Sequence, residues 1–311
     1  METSNKIKSK IRENIEKVQV SIPLPEHFLA TKVLPSNLIN LPNFLKFLIA
    51  YFCRHPRRIL EEVKKLEEEG INIVISSLLK ETGLTEDLAR SINSIKVWKG
   101  TIGEAMATAY VIGFTDYAMP IFKLRFAPNR RLAMHGDDLL GFKFTERGEP
   151  AFLLIGEAKN WKNSKEALKA ANATLLKVKN SSPTLLNFVI EELDAQNRHQ
   201  EAIMVQRFLD GYNYLYKTEY LAFVVADNDE WNDEFFLEVS SNPAIPLEVA
   251  VSLIPNKIQE SLALPEEEKN TYLTLPIIYM DEVKDSTSLL DNPDFKNQYN
   301  RLASAALASE L

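Results

Sequence analysis

Two β-prone runs, 138–144 and 151–159, flank the polar loop Thr145-Glu146-Arg147-Gly148-Glu149-Pro150. Apolar runs broken by glycine and proline fold as a hairpin, and this hairpin constrains everything around it. If the loop is symmetric, Phe144 faces Ala151 and Asp138 faces Glu157, with Cβ atoms about 4.5–5.5 Å apart. Successive strand residues point to opposite faces, so Glu157 and Lys159 project together. The rest of that face is Leu140, Phe142, Phe144, Ala151, Leu153 and Ile155. The expectation is one apolar sheet face with two carboxylates and a lysine at its mouth, at a strand end open to solvent.

Two carboxylates that close repel one another unless a cation lies between them. A hard divalent ion such as Mg²⁺ takes a few oxygen ligands and keeps several waters. It can activate a water and neutralise charge on a phosphate. A lysine one strand pitch away can hold the attacking water or steady the developing anion. The plainer alternative is a surface hairpin whose charges are only solvated, which fits acidic residues at the mouth of an apolar face poorly. Asp137 competes with Asp138 for the role of ligand. A one-residue slip would exchange the two, and would take Phe142 and Phe144 off the core face at roughly 1.5–3 kcal/mol each. Asp138 is therefore the expected ligand, with Asp137 a turn residue or a supporting acid. Pro150 is where a bulge would upset this register. His135, beside Asp137, is either a further ligand or polar surface.

A chain of 311 residues, 45% apolar and 25% charged, has material for a sizeable core in one large domain or two. Its one cysteine, Cys53, excludes an internal disulfide framework and a cysteine-based zinc site. Cys53 itself reads as a small buried residue of an apolar helix. The first twenty residues are densely charged without a signal-peptide core, and no run of 18 apolar residues occurs. A soluble cytoplasmic protein is expected. The net charge of −7 is uneven: Lys96 to Lys179 holds 14 Lys/Arg against 8 Asp/Glu, a local +6 that leaves −13 on the rest. A basic region around the hairpin suits a phosphate-bearing substrate, and the acidic remainder suits a protein partner.

In chain order, 1–95 is expected as a mainly helical N-terminal region, and 96–311 as the domain that carries the hairpin. Residues 21–42 contain four prolines and run extended. Helices are expected over 43–53, 57–69 and 81–92. A further, buried helix begins at Thr101-Ile102-Gly103-Glu104. Glu104 is either a third carboxylate for the site or half of a capping box with Thr101. Alternation predicts a strand at 121–126 with Lys123 and Arg125 on one face, and Arg130 and Arg131 follow in the next loop. After the hairpin, Ser164 caps a helix to Lys179 with the apolar stripe Leu168, Ala171, Leu175 and Val178. Lys162, Lys165 and Lys169 lie on another face. All these cations either contact phosphates or are solvated. Residues 184–217 read as helical, 220–227 as a near-continuous apolar strand covered on both faces, 247–254 as another strand, 258–264 as a short helix and 276–280 as an edge strand. The turn Asp227-Asn228-Asp229-Glu230 either binds a cation or is solvated. There is no internal repeat and no Gly-rich phosphate loop, which argues against nucleotide hydrolysis.

The order helix with Glu104, three strands to Lys159, then helix 164–179 resembles the α-β-β-β-α core of the PD-(D/E)xK nucleases over residues 99–179. The remainder, 180–311, would extend the sheet. More narrowly, Lys99-Gly-Thr-Ile-Gly-Glu104, Gly136-Asp-Asp-Leu-Leu-Gly-Phe142 and Gly156-Glu-Ala-Lys159 resemble the HamA-type proteins of the Hachiman anti-phage defence system and the related first subunit of the Abp system. The resemblance implies an α/β fold with a mixed central sheet flanked by helices. It implies a Mg- or Mn-dependent DNA nuclease working with a superfamily-two helicase. Asp138 and Glu157 would ligate the metal, Lys159 would assist the water, and Glu104 would complete the site. The doubled Asp137-Asp138 leaves the first ligand open on the motif alone. Two alternatives stand beside this: a restriction-type endonuclease acting alone, and an inactive nuclease fold that only binds nucleic acid or scaffolds a partner.

Overall fold

Every residue from Tyr220 to Ala226 is buried, as expected for an unbroken apolar run with both faces covered. The computed structural model describes residues 2–20, 22–24, 28–53, 95–126, 138–161, 163–179, 184–211, 216–227, 229, 231–240 and 247–261. Among the described residues, six strands form one sheet in the order β1-β2-β6-β5-β4-β3. They are β1 Ile15–Gln19, β2 Phe28–Pro35, β3 Leu139–Phe144, β4 Pro150–Asn160, β5 Lys217–Ala226 and β6 Leu247–Leu253. The central β2, β6, β5 and β4 are parallel, while β1 and β3 pair antiparallel at the edges.

Helices cover both faces. On one, α1 (Glu2–Asn14), α2 (Leu41–Cys53) and α3 (Ile95–Phe114) bury Ile11, Leu45 and Tyr110 against Leu154 and Phe223 of the sheet. On the other, α4 (Ser164–Val178), α5 (Thr184–Ala195) and α6 (His199–Asp210) bury Leu168, Leu186 and Phe208 against Phe142, Leu153 and Val224. α7 (Glu234–Ser240) packs beside α4, and α8 (Asn256–Ser261) follows β6. The chain thus forms the expected mixed sheet flanked by helices. The region 1–95 contributes β1 and β2 to it as well as helices. Among the described residues, no helix is long and apolar enough to cross a membrane.

The hairpin keeps the expected register from Leu139↔Gly156 to Lys143↔Phe152. A bulge between Lys143 and Phe144 then sets Phe144 opposite Pro150 rather than Ala151. Because the extra residue is absorbed at the loop end, the opposite end is undisturbed. Leu140, Phe142, Leu153 and Ile155 share one core, with Phe144 packed against it.

Three local expectations are corrected. Residues 121–126 do not form a strand: Lys123–Phe126 is a 3₁₀ turn. Among the described residues, pairing on this side of β3 is confined to a bridge at Ala118, which exchanges both backbone bonds with Phe142 at 3.0 and 2.9 Å. In an antiparallel ladder the next such pair would be residue 120 with residue 140. Residue 120 is a proline without an N–H, so the ladder stops. α3 begins at Ile95, not near Thr101, so Glu104 lies inside the helix and the capping box does not form. α4 is capped by Asn163, whose side chain accepts from the Glu166 N–H at 3.1 Å, while Ser164 is its buried first residue. Residues 184–217 hold α5 and α6, separated near Asn197, which takes φ 58°, a conformation asparagine tolerates. The segments 57–69, 81–92 and 276–280 lie outside the described residues.

Candidate active site

β4 has a strand on each side, so its end from Gly156 to Asn160 is held by β5 and by the start of β3. Ala158 packs into the α1–α2–α3 core. Alternation therefore turns Glu157 and Lys159 to the α4 face, where Lys159 Nζ donates to Glu157 Oε1. Glu157 is only 5% exposed, so this strand end is not open to solvent as expected.

Asp138 immediately precedes β3. Phe142 directs its N–H and C=O outward to Ala118. By alternation, the Asp138 and Glu157 positions match the kind of antiparallel pair whose side chains approach most closely. The N–H of Ala158 donates to Asp138 Oδ2 at 2.9 Å, where a continuing strand would have offered a carbonyl. Asp138 thus ends the ladder and is anchored by it.

Lys123 also enters the site. Its Nζ lies 3.5 Å from Asp138 Oδ1, with the two side chains 4% and 15% exposed. A strand would have turned it outward beside Arg125. Instead Ile121, Phe122 and Lys123 are buried in succession where the chain enters the 3₁₀ turn.

Glu104 arrives from the opposite face of the sheet on α3. Gly103 permits the close approach, since a Cβ there would stand 3.3 Å from Asn160 Cβ. Asn160 Nδ2 donates to Lys99 O and to Gln259 Oε1, each at 2.9 Å. Gln259 Nε2 donates to Ile254 O at 3.0 Å, which fixes its own amide orientation. One amide group thus ties the end of β4 to both α3 and α8. Glu104 faces a narrow pocket lined also by Thr108, Lys123, Asp138, Leu140 and Leu185, with space for about one water molecule.

Burial first, and then the charge of Asp138, push the Glu104 carboxyl up to about 8; Lys123 opposes this. The same order of causes pushes Glu157 up to about 7, opposed by its hydrogen bond from Lys159. Hard oxygen donors that resist ionisation together are the donor set that suits a divalent cation. Asp138 and Glu157, with Glu104, are the residues that would hold it. Among the described residues no three His, Cys, Asp or Glu side chains stand close enough to ligate one ion. As the side chains stand, Asp138 is engaged by Lys123 and Glu157 by Lys159.

Asp137, His135, Arg130, Arg131 and Lys162 lie outside the described residues, and Arg125 is described only as part of the 3₁₀ turn. Lys165 and Lys169 are on α4. Lys165 Nζ lies 5.8 Å from the Phe235 ring centroid, and Lys169 pairs with Glu166 at 3.6 Å. Asp227 accepts from the Asp229 N–H at 3.1 Å and the Asn256 N–H at 2.8 Å, so it orders the turn and the start of α8. Asn160 and Gln259 were not expected at the site. Asn160 follows the Glu-x-Lys run directly, a signal that position alone offers; Gln259 has none in the sequence.

Comparison with curated proteins found no match. The HamA family matches residues 5–289, a span that takes in all six strands and every residue of the site just described. The chain belongs to the HamA family.

Proposed function

We propose that the chain is a metal-dependent nuclease of the PD-(D/E)xK kind that hydrolyses phosphodiester bonds in DNA. In this reading it is the effector of an anti-phage defence system and acts with a helicase. One observation carries the reading: Asp138 is anchored beside Glu157 and Lys159 at the end of the hairpin, with Glu104 brought to the same place by α3. The succession α3, β3, β4, α4 supports a restriction-endonuclease-like core, with the further strand reduced to the bridge at Ala118.

A bound Mg²⁺ or Mn²⁺ would supply an activated water and neutralise charge on the phosphate. Asp138 and Glu157 would hold it, with Glu104 as the third acid. Lys159, anchored through Glu157, orients the attacking water by hydrogen bonding and steadies the anion that forms. Lys123 holds Asp138 in place through their ion pair. The charge of −13 outside 96–179 supports a protein partner rather than wholesale DNA binding there.

The test is supercoiled plasmid incubated with the full chain, alone and co-purified with its helicase, in Mg²⁺ or Mn²⁺ and in EDTA. Metal-dependent nicking that Glu157→Gln and Lys159→Ala abolish is expected, with the isolated chain restrained. Nicking by folded Glu157→Gln at the wild-type rate would refute the site, and unrestrained cutting by the complex without a trigger would count against the defence role. A second reading, a nuclease fold that binds without cutting, draws on the two lysines engaging the carboxylates. It predicts nucleic-acid binding without metal-dependent nicking in any of these arms.

A further inference from the structure

β4 ends at Asn160, and the next residue is Trp161, which is 48% exposed. Continuing the strand alternation, 161 follows 157 and 159, and its Cα lies about 6.6 Å beyond that of Lys159 at the strand rise. The Trp161 side chain makes no hydrogen bond or ring contact with the described residues. Trp231 differs: its Nε1 donates to Asp233 at 3.0 Å, and its ring meets Phe235 and Phe236 edge-on at 5.4 and 5.1 Å. Leu29, Leu38, Ile39, Ile203 and Leu237 are also exposed, but they lie on β2, before α2, on α6 and on α7. Trp161 alone among these directly follows the strand that carries Glu157 and Lys159. β4 precedes it, and α4, capped by Asn163, begins three residues after it.

An exposed indole beside a phosphodiester site suits the flat face of a nucleobase. Inside a duplex both faces of each base are covered by its neighbours. Only an unpaired base, or the last pair of an end, offers a free face. We propose that Trp161 is a stacking platform for an unpaired nucleobase next to the cleaved phosphate, so that this chain prefers single-stranded or frayed nucleic acid over continuous duplex. The nature of the ligand rests on the nuclease reading above; the exposed residue and its place directly after β4 do not.

The test separates binding from cleavage. Fluorescence anisotropy in EDTA, with the full chain, compares a labelled oligothymidylate, the same oligonucleotide containing abasic positions, and a blunt duplex of equal length. Trp161→Ala should weaken binding of the single strand about tenfold, about 1.4 kcal/mol, and change the duplex by less than twofold. Trp161→Phe should restore most of the affinity. Abasic positions should cost the wild type as much as the substitution does and add little to it. Quenching of indole emission by oligothymidylate should be lost in Trp161→Phe. Equal weakening of single strand and duplex, no weakening of either, or no binding of the single strand by the wild type overturns the platform. So does loss of helicase co-purification in Trp161→Ala with single-strand affinity unchanged, which would make the ring a protein contact. If the Trp161-dependent binding holds while no metal-dependent nicking occurs, the nuclease reading fails and the platform stands.

Discussion

Metal-free protein should lose stability as pH rises through neutrality, and the site explains by how much. Glu157 is held up to about 7 and Glu104 up to about 8, against an ordinary 4.5. Both shifts are upward, so the stability they contribute is complete below about 4.5 and is lost as pH rises through 7 and 8. Across that window the native protein holds protons that the unfolded chain has released. One pH unit traversed by a buried group is worth about 1.4 kcal/mol. Glu157 is buried, whereas Glu104 is half-buried, and both share the repulsion of Asp138, so the pair is counted at about 4 kcal/mol between about pH 5.5 and 8.5. At roughly 2 cal/mol/K per residue, unfolding 311 residues converts this to about 6 °C in Tm. Scanning fluorimetry on EDTA-treated wild type and Glu104→Gln measures it, the variant being expected to lose about half as much. Mg²⁺ should restore more at pH 8 than at pH 5.5, because the ion competes with protons for these oxygens. A wild-type Tm that is flat or rises relative to the variant over this range refutes the electrostatic account.

Three further outcomes are expected. Lys123→Met should cost about 2–4 kcal/mol in urea titration, since it strands a largely buried Asp138 without its counter-charge; a cost under about 0.5 kcal/mol would mean the ammonium is dispensable. Asn160→Asp should cost about 2–3 kcal/mol and more than Asn160→Ala, because it turns an oxygen toward the Lys99 and Gln259 acceptors; equal costs would show that the two donated bonds are unimportant. Asp138→Asn should abolish metal binding in calorimetry while Asp137→Asn retains it; the reverse would assign the ligand one residue earlier.

The hairpin was legible because its period is two and its core face is apolar, which penalises any slip. Even the bulge fell at Pro150, where the sequence located the risk. The strand at 121–126 was misread because alternation is a statement about solvent on one side. Here one proline removed the donor that pairing needs, and Lys123 went inward to meet a charge not visible in its own segment. Thr101-x-x-Glu104 matches a capping box, but the burial of Ile102, Ala105 and Met106 against the sheet outweighs a local cap, and α3 starts earlier. The tie through Gln259 was beyond reach, because it depends on where β6 delivers α8.

That tie also sets a clock. Asn160 and Gln259 are 99 residues apart, and Phe28 pairs with Leu247. A hairpin alone is marginal in water, and the parallel strands beside it are made later than it is. During synthesis, all the carboxylates of the site have been added by Lys159, yet Gln259, which ties β4 to α8, follows after roughly 5–20 s at ordinary elongation rates. A nascent chain therefore carries every acid of the site before it has the contacts that assemble them.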